Sequence, residues 1–338
     1  MGNKRRNEAA RAALFLAAFL ALVLVFALIS VCFGAVPIRP GQLVDILLGN
    51  AHPESPAYRI VMHVRLPRTA AAILAGAALA VAGAIIQAVL NNALASPNII
   101  GVNSGAGLAA LLCAVLLPHA PYLLPMGAFL GALATALLIY AVAMRTGASR
   151  ITIVLTGVAL GSILSAGIDA LTIARPEAVV GATGFLLGGL SGVSAANLKF
   201  ASGYILAGLV AAGLLSHEMN VLTLGEDTAA TLGLHVKRYR FFLIVIAAVL
   251  AGAAVSFAGL LGFVGLLVPH GVRLLIGTDH RYLIPSCALC GAAFVTACDI
   301  LARLLFAPYE LPVGILLSFL GGPFFLYLLL KQRRKINA

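Results

Sequence analysis

Tryptophan is absent from this 338-residue chain, and charge is scarce. Only 10% of the residues are Asp, Glu, Lys or Arg, against about 25% in a soluble globular domain. The hydrophobic share is 62% and the mean hydropathy +1.08. A water-soluble protein of this size would have too few charges to cover its surface. That excludes a cytosolic enzyme, a secreted domain and a disordered tail. Polar and apolar residues do not alternate at period two, which argues against a membrane β-barrel. Acids number 11, and from Thr69 to Met144 there is no charged residue at all. None of the five lysines, Lys4, Lys199, Lys237, Lys331 and Lys335, precedes Ser or Thr, so the chain has no P-loop. Cys32, Cys113, Cys287, Cys290 and Cys298 all lie in apolar segments. Cys287 and Cys290 form a CxxC, but in a membrane helix Cys behaves as a small hydrophobe. No metal site, no disulfide and no cofactor are expected.

What remains is long, continuous apolar runs, as helices in lipid require, because each backbone group must be satisfied within its own segment. At about 20 residues per span, they divide into spans near 12–36, 69–90, 99–117, 122–144, 151–173 and 198–216, two within 241–272, then 283–305 and 312–330. The pair within 241–272 is read as a descending and a returning helix joined by a tight glycine turn. The Gly-rich stretch 178–196 is expected not to cross. The chain is therefore an all-α polytopic membrane protein with about ten transmembrane helices, a single domain over 1–338. Residues 37–68 form an external polar loop and 217–240 a cytoplasmic one.

The net charge of +11 is read as a marker of cytoplasmic loops rather than of nucleic acid. Both termini are basic, so both are expected in the cytoplasm. On that topology 15 of the 22 Lys and Arg residues lie inside and seven outside. Small residues recur at spacing four, as in Gly76/Ala80/Ala84, Gly101/Gly105/Ala109, Gly127/Gly131 and Gly157/Gly161. They let helix backbones approach closely.

An active transporter needs an energy source. An ion-coupled carrier places ionisable residues near mid-membrane, but the only acids in the spans, Asp169 and Asp299, fall near outer ends. Asp299 and Arg303 stand at i, i+4 and are expected to pair. A partner is the other route. In Leu222–His235, Gly225 breaks the chain, Glu226 and Asp227 suit a first helical turn, Ala229, Ala230 and Leu232 give an apolar side, and Gly233 suits a stop. This short helix either docks a partner or rests on headgroups.

Arg65-Leu-Pro-Arg-Thr69, Gly76–Gly83 with Gln87, Asn92–Pro97, Gly101–Ala106, Leu224–Gly233, Gly262–His270 with Arg273, Asp279–Arg281, Asp299–Arg303 and Glu310–Gly314 follow in this order. With these pieces the sequence resembles the permease subunits of the ABC importers that carry iron-siderophores, haem and vitamin B12, the type II importer permeases. The resemblance covers nearly the whole chain. It implies ten helices and a second permease subunit, a copy or a paralogue. It also implies two ABC ATPase subunits and a periplasmic or lipid-anchored substrate-binding protein. The setting implied is a bacterial or archaeal cell membrane, and the chain makes no covalent bond, so it is not an enzyme. Leu224, Gly225, Glu226, Asp227, Ala230, Leu232 and Gly233 are implied to couple to the ATPase. Arg65, Arg68 and Arg303 match positions that dock the binding protein; otherwise Arg65 and Arg68 are interfacial anchors and Arg303 serves Asp299. Asn92, Leu94, Arg150 and Thr152 match a cytoplasmic gate, with an ordinary Asn-capped turn as the alternative. The cargo expected is an iron-siderophore, with haem or a cobalamin next; many siderophore permeases carry Trp near 182–196, and this chain departs from them in having none. A secondary transporter without an ATPase is the rival from another class.

Overall fold

The computed structural model describes residues 2–34, 36–145, 149–305 and 309–336, and among them every regular element is a helix. Seven helices are long and apolar enough to cross a membrane. With three shorter ones, α5 (Val102–Leu116), α13 (Val264–Ile276) and α15 (Val313–Ile336), they occupy the ten positions expected from the apolar runs. A fourth short helix, α8 (Pro176–Leu187), holds the Gly-rich stretch. Its 12 residues rise about 18 Å, too little to cross.

The helix at the centre is α4 (Leu66–Leu90), whose residues from Ala75 to Leu90 are all buried. It packs against α14 (His280–Leu304), α12 (Val236–Ala258), α13 and α9 (Ala195–Leu214). Its sequence, LPRTAAAILAGAALAVAGAIIQAVL, is mostly alanine and glycine for a physical reason. Lipid tails are as apolar as leucine, so helices associate by close packing rather than by escape from water. A Cβ added to Gly76 would lie 2.1 Å from the Gly291 carbonyl oxygen on α14, and one added to Gly83 would lie 1.9 Å from that of Gly265 on α13. The helices touch backbone to backbone at both places. Around this centre stand α1 (Gly2–Cys32), packed on α14, and the pair α5 and α6 (Leu124–Arg145), packed on each other and on α12. At the periphery, α7 (Arg150–Ala174) buries only Ile153 and Gly157.

The expected turn within 241–272 spans 259–263 and joins α12 to α13. One boundary differs from expectation. The second span was to begin at Thr69, after a loop; instead α3 (Pro56–Ile60) runs through a π-helical turn, Val61–Arg65, directly into α4. Ser55 caps its start by accepting from the Tyr58 N–H at 3.3 Å, and Pro56 supplies a preset first turn. The segment 37–68 thus contains α2 (Pro40–Leu47) and the start of the second span, and Arg65 and Arg68 sit inside a helix.

The backbone contact makes a direct prediction. Gly83→Ala forces α4 and α13 apart and lowers the thermal unfolding midpoint in detergent, because overpacking costs about 1–3 kcal/mol. Gly203→Ala in α9, where nothing lies within 4 Å of the new methyl, leaves the midpoint unchanged or raises it, since alanine favours helix over glycine. Equal midpoints for the two variants would refute the contact.

Candidate functional site

Two polar clusters stand at opposite ends of α4. The first lies where α1 and α14 finish and α4 begins. The Arg68 Nε donates to both oxygens of Asp299, at 3.1 and 3.2 Å, and Nη2 adds a third bond at 3.0 Å. Its Nη1 reaches Glu310 Oε2 at 2.6 Å. Arg303, one turn beyond Asp299, pairs with it at 3.2 Å and donates to Ser30 Oγ at 2.8 Å. Ser30 and Thr69 share a hydroxyl–hydroxyl bond of 2.7 Å. Arg65 Nη1 donates to the carbonyls of Val31 and Cys32, each at 2.8 Å, and Nη2 to that of Val36. The last carbonyls of a helix lack partners within it and form the negative end of its dipole, so Arg65 caps α1.

The i, i+4 pairing of Asp299 with Arg303 is therefore as expected. The free, solvated arginines expected of a docking surface are not. Arg65, Arg68 and Arg303 are 4%, 7% and 5% exposed, and their guanidinium groups are engaged within the chain. Three buried positive charges face two carboxylates and the end of α1. Leaving any donor unmade there would carry the full desolvation cost, which is why the side chains turn inward. Sequence reading missed Ser30, Thr69 and Glu310 as members of this clasp. A lone hydroxyl in an apolar run and an acid inside the Glu310–Gly314 piece were the only signals.

The second cluster lies where α4, α6 and α13 finish and α7 and α12 begin. Between α10 (Ser216–Leu222) and α12 sits α11, Glu226–Thr231. Gly225 (φ +109) and Gly233 (φ +85) bracket it in the left-handed region that favours glycine. Gly233 donates to the Ala230 carbonyl and Leu234 to that of Ala229, both at 3.0 Å, closing the helix. Ala229 is buried and faces the bundle. Leu224, Asp227, Ala230, Leu232 and Gly233 are exposed and Gly225 partly so. Glu226, its side chain 42% exposed, also ties the helix to the bundle: its Oε1 accepts from Arg240 Nη2 at 2.5 Å and lies 3.4 Å from Arg150 Nε. Arg240 is 2% exposed, and a buried cation requires a counter-charge.

Arg150 thus joins the α11 strut. Thr152 sits in the same turn of α7, its N–H donating at 3.1 Å to the N-cap Ser149 Oγ. Asn92 and Leu94 lie in the turn after α4, where Asn92 Oδ1 accepts from the Leu94 N–H at 3.0 Å and Asn91 takes a left-handed conformation. Among the described residues no hydrogen bond or ion pair joins Asn92 or Leu94 to Arg150 or Thr152. Residues 146–148 of the expected cytoplasmic loop are outside the described residues. Nearby, Arg273 Nη1 donates to Gln87 Oε1 at 2.8 Å, tying α13 to the end of α4. Asn220 locks α10 to α14, accepting from the His280 N–H at 2.9 Å and donating to Asp279 Oδ1 at 2.7 Å. Among the described residues no group of three or more His, Cys, Asp or Glu is placed to hold a metal ion.

Comparison with known proteins agrees with a two-ended transport bundle. The FecCD transport family matches residues 22–331. The Fe(3+)-citrate import system permease protein YfmE of Bacillus subtilis is 39% identical over 315 residues, 93% of this chain and 94% of its own. The hemin transport system permease protein HmuU of Yersinia pestis is 37% identical over 328 residues, 95% of this chain and 97% of its own. A solved structure of a metal-chelate type ABC transporter in an inward-facing conformation superposes with a TM-score of 0.83 at 27% identity, covering 94% of this chain and 98% of that one.

The clasp predicts that Asp299→Ala, which strands Arg68 and Arg303, destabilises the chain by about 3–5 kcal/mol, read as a lowered unfolding midpoint and yield in detergent. Replacing Arg68, Asp299 and Arg303 together by apolar residues of similar volume recovers part of that loss. If the single and triple variants melt alike, the three charges do not act as one network.

Proposed function

The chain belongs to the FecCD transport family, and from that premise we propose that it is the membrane permease of an ATP-driven importer for a metal chelate. The relatives named above import ferric citrate and haemin, and a third, of Halobacterium salinarum, imports cobalamin. Their common cargo is a bulky metal chelate, with an iron(III) complex the first candidate. The permease forms no covalent bond; it lowers the barrier to crossing by alternating access.

The observation that carries this reading is α11. A helix of six residues has no stability of its own, yet this one is held to α7 and α12 through Glu226 while Leu224 and Leu232 stay 60% and 63% exposed. A short, rigidly mounted apolar knuckle suits a partner that pushes on it, here an ABC ATPase. Ion coupling is poorly served: Asp299 is neutralised by two arginines, and Asp169 is an exposed side chain on the peripheral α7.

On this reading the α11 end and both termini face the cytoplasm, and the α1/α14 end faces outward. A binding protein sits over that outer end, where Arg39, Arg59 and the part-exposed Glu310 are accessible, with Arg65, Arg68 and Arg303 shaping the surface from beneath. A second permease subunit covers the apolar faces of α7 and α15, where Leu155, Val158, Ile163 and Phe319 are exposed. Asn92, Leu94 and Thr152 border the inner mouth between the α4 turn and the start of α7.

Two measurements test this. In proteoliposomes, chelate uptake requires the ATPase subunit and ATP, and an ion gradient alone gives none; uptake on the gradient alone would support the secondary-transporter reading. Leu224→Asp with Leu232→Asp abolishes co-purification of the ATPase without lowering the unfolding midpoint of the chain, because neither side chain is packed. An intact, fully active complex from that double variant would remove α11 from the interface.

A further inference from the structure

One groove belongs to neither cluster. It runs along the start of α12 beside the end of α9 and is lined by Leu215, His235, Arg238, Tyr239, Phe242 and Ile246, enclosing about 370 Å³. The positions 235, 238, 239, 242 and 246 form one helical stripe. Its first part is polar: the His235 imidazole, the Arg238 guanidinium and the Tyr239 hydroxyl have no hydrogen-bond or ion-pair partner among the described residues. The guanidinium carbon of Arg238 stands 5.8 Å from the centre of the Phe242 ring. The second part is apolar, formed by Phe242 and Ile246 of α12 with Leu215 at the end of α9. The 11 steps from His235 to Ile246 rise about 16 Å, so the groove passes from cationic to apolar over the depth of a headgroup region and the upper acyl chains.

We propose that this groove binds one phospholipid with an anionic headgroup. The phosphate meets Arg238, His235 and Tyr239, and an acyl chain lies on Phe242, Ile246 and Leu215. Basic pockets between transmembrane helices on the cytoplasmic side suit such headgroups, and a tyrosine at that level presents its hydroxyl to the polar zone and its ring to the chains. A free phosphate would use only the cationic part and would leave the apolar wall uncovered. The site has a consequence for coupling: Arg238 stands two residues from Arg240, whose guanidinium holds Glu226 of α11. A headgroup bound at Arg238 steadies the first turn of α12 on which α11 is mounted. The placement at the cytoplasmic leaflet rests on the orientation proposed above.

The test uses the full chain in lipid-free detergent, titrated with phosphatidylglycerol or with phosphatidylcholine of the same acyl chains and read by native mass spectrometry. The wild type retains phosphatidylglycerol in preference to phosphatidylcholine, Arg238→Glu weakens that retention about tenfold or more, and Arg238→Lys keeps most of it. A large excess of inorganic phosphate does not displace the lipid. Unfolding midpoints without lipid show whether Arg238→Glu is folded; if it is not, His235→Gln with Arg238→Gln replaces it, with the same weakening expected. Equal retention of both lipids, or unchanged retention in the variants, overturns the proposal. Displacement by phosphate makes the groove a free-anion site and overturns it as a lipid site. A single cysteine at position 238 that reacts with an impermeant reagent from outside the cell refutes the orientation instead, and leaves binding in detergent to stand or fall on its own result.

Discussion

The approach on which the others depend is that of α4, which meets its neighbours backbone to backbone. Gly76 and Gly83 lie seven residues apart, close to two turns, and so on one face of the helix. They contact different partners, Gly291 on α14 and Gly265 on α13, and those two helices also pack on each other. A single seam on α4 therefore sets the spacing of both. Without a hydrophobic drive between helices in lipid, the fit of this seam does the work that burial of large side chains does in water. It also fixes the reach of everything attached to the ends of α4. Arg68 meets Asp299 because α14 is held close along its length. Gln87 meets Arg273 because α13 is held close at the other end.

Buried charge is used at both ends to solve a problem of backbone. The carbonyls that finish α1 have no partners in their own helix, and the low-dielectric surroundings make that omission costly. Arg65 supplies donors from the next helix, and Arg303 Nη1 donates to the carbonyls of Ser30 and Phe33. Asp299 then balances Arg68 and Arg303, and Glu310 ties the segment before α15 into the set. At the far end, Arg240 and Arg150 hold Glu226 and so mount a six-residue helix that local interactions alone would not maintain. In each case removing one partner costs more than the pair contributes, because a charge is left unpaired in a dry place.

These long-range pairings explain where the sequence could be read and where it could not. The ten apolar segments are visible because each is a property of a short window: about 20 residues without charge, ended by Pro, Asn, Gly or basic residues. The 259–263 turn is visible in its glycines, and Asp299–Arg303 in its i, i+4 spacing. The environment of Arg68 is not visible, since its counter-ions stand 231 and 242 positions away. Taken alone, Arg59, Arg65 and Arg68 look like a solvated loop, and that reading placed the start of the second span 13 residues late. Glu226 misleads for the same reason. An acid in a first helical turn has a good local explanation in the helix dipole, which conceals that its partner, Arg240, lies 14 residues on in a different helix.

The breaks between helices carry the same logic to the part of the bundle that is not helical. Backbone outside a helix is tolerated at membrane depth only where protein or a water-filled cavity covers it. Here three breaks cover one another. The Leu260 N–H, in the turn between α12 and α13, donates to the Phe185 carbonyl near the end of α8 at 2.9 Å, and the Gly314 N–H, at the start of α15, donates to the Gly188 carbonyl at 2.9 Å. Phe263 closes the turn with φ +64, a conformation that costs a non-glycine residue energy, and its ring lies where any side chain on Gly321 of α15 would have to go. The segments that are free to bend in a permease are those not tied into a helix. In this chain they are tied to each other by two hydrogen bonds and one ring, so the backbone of each break is satisfied by another break and not left bare to lipid.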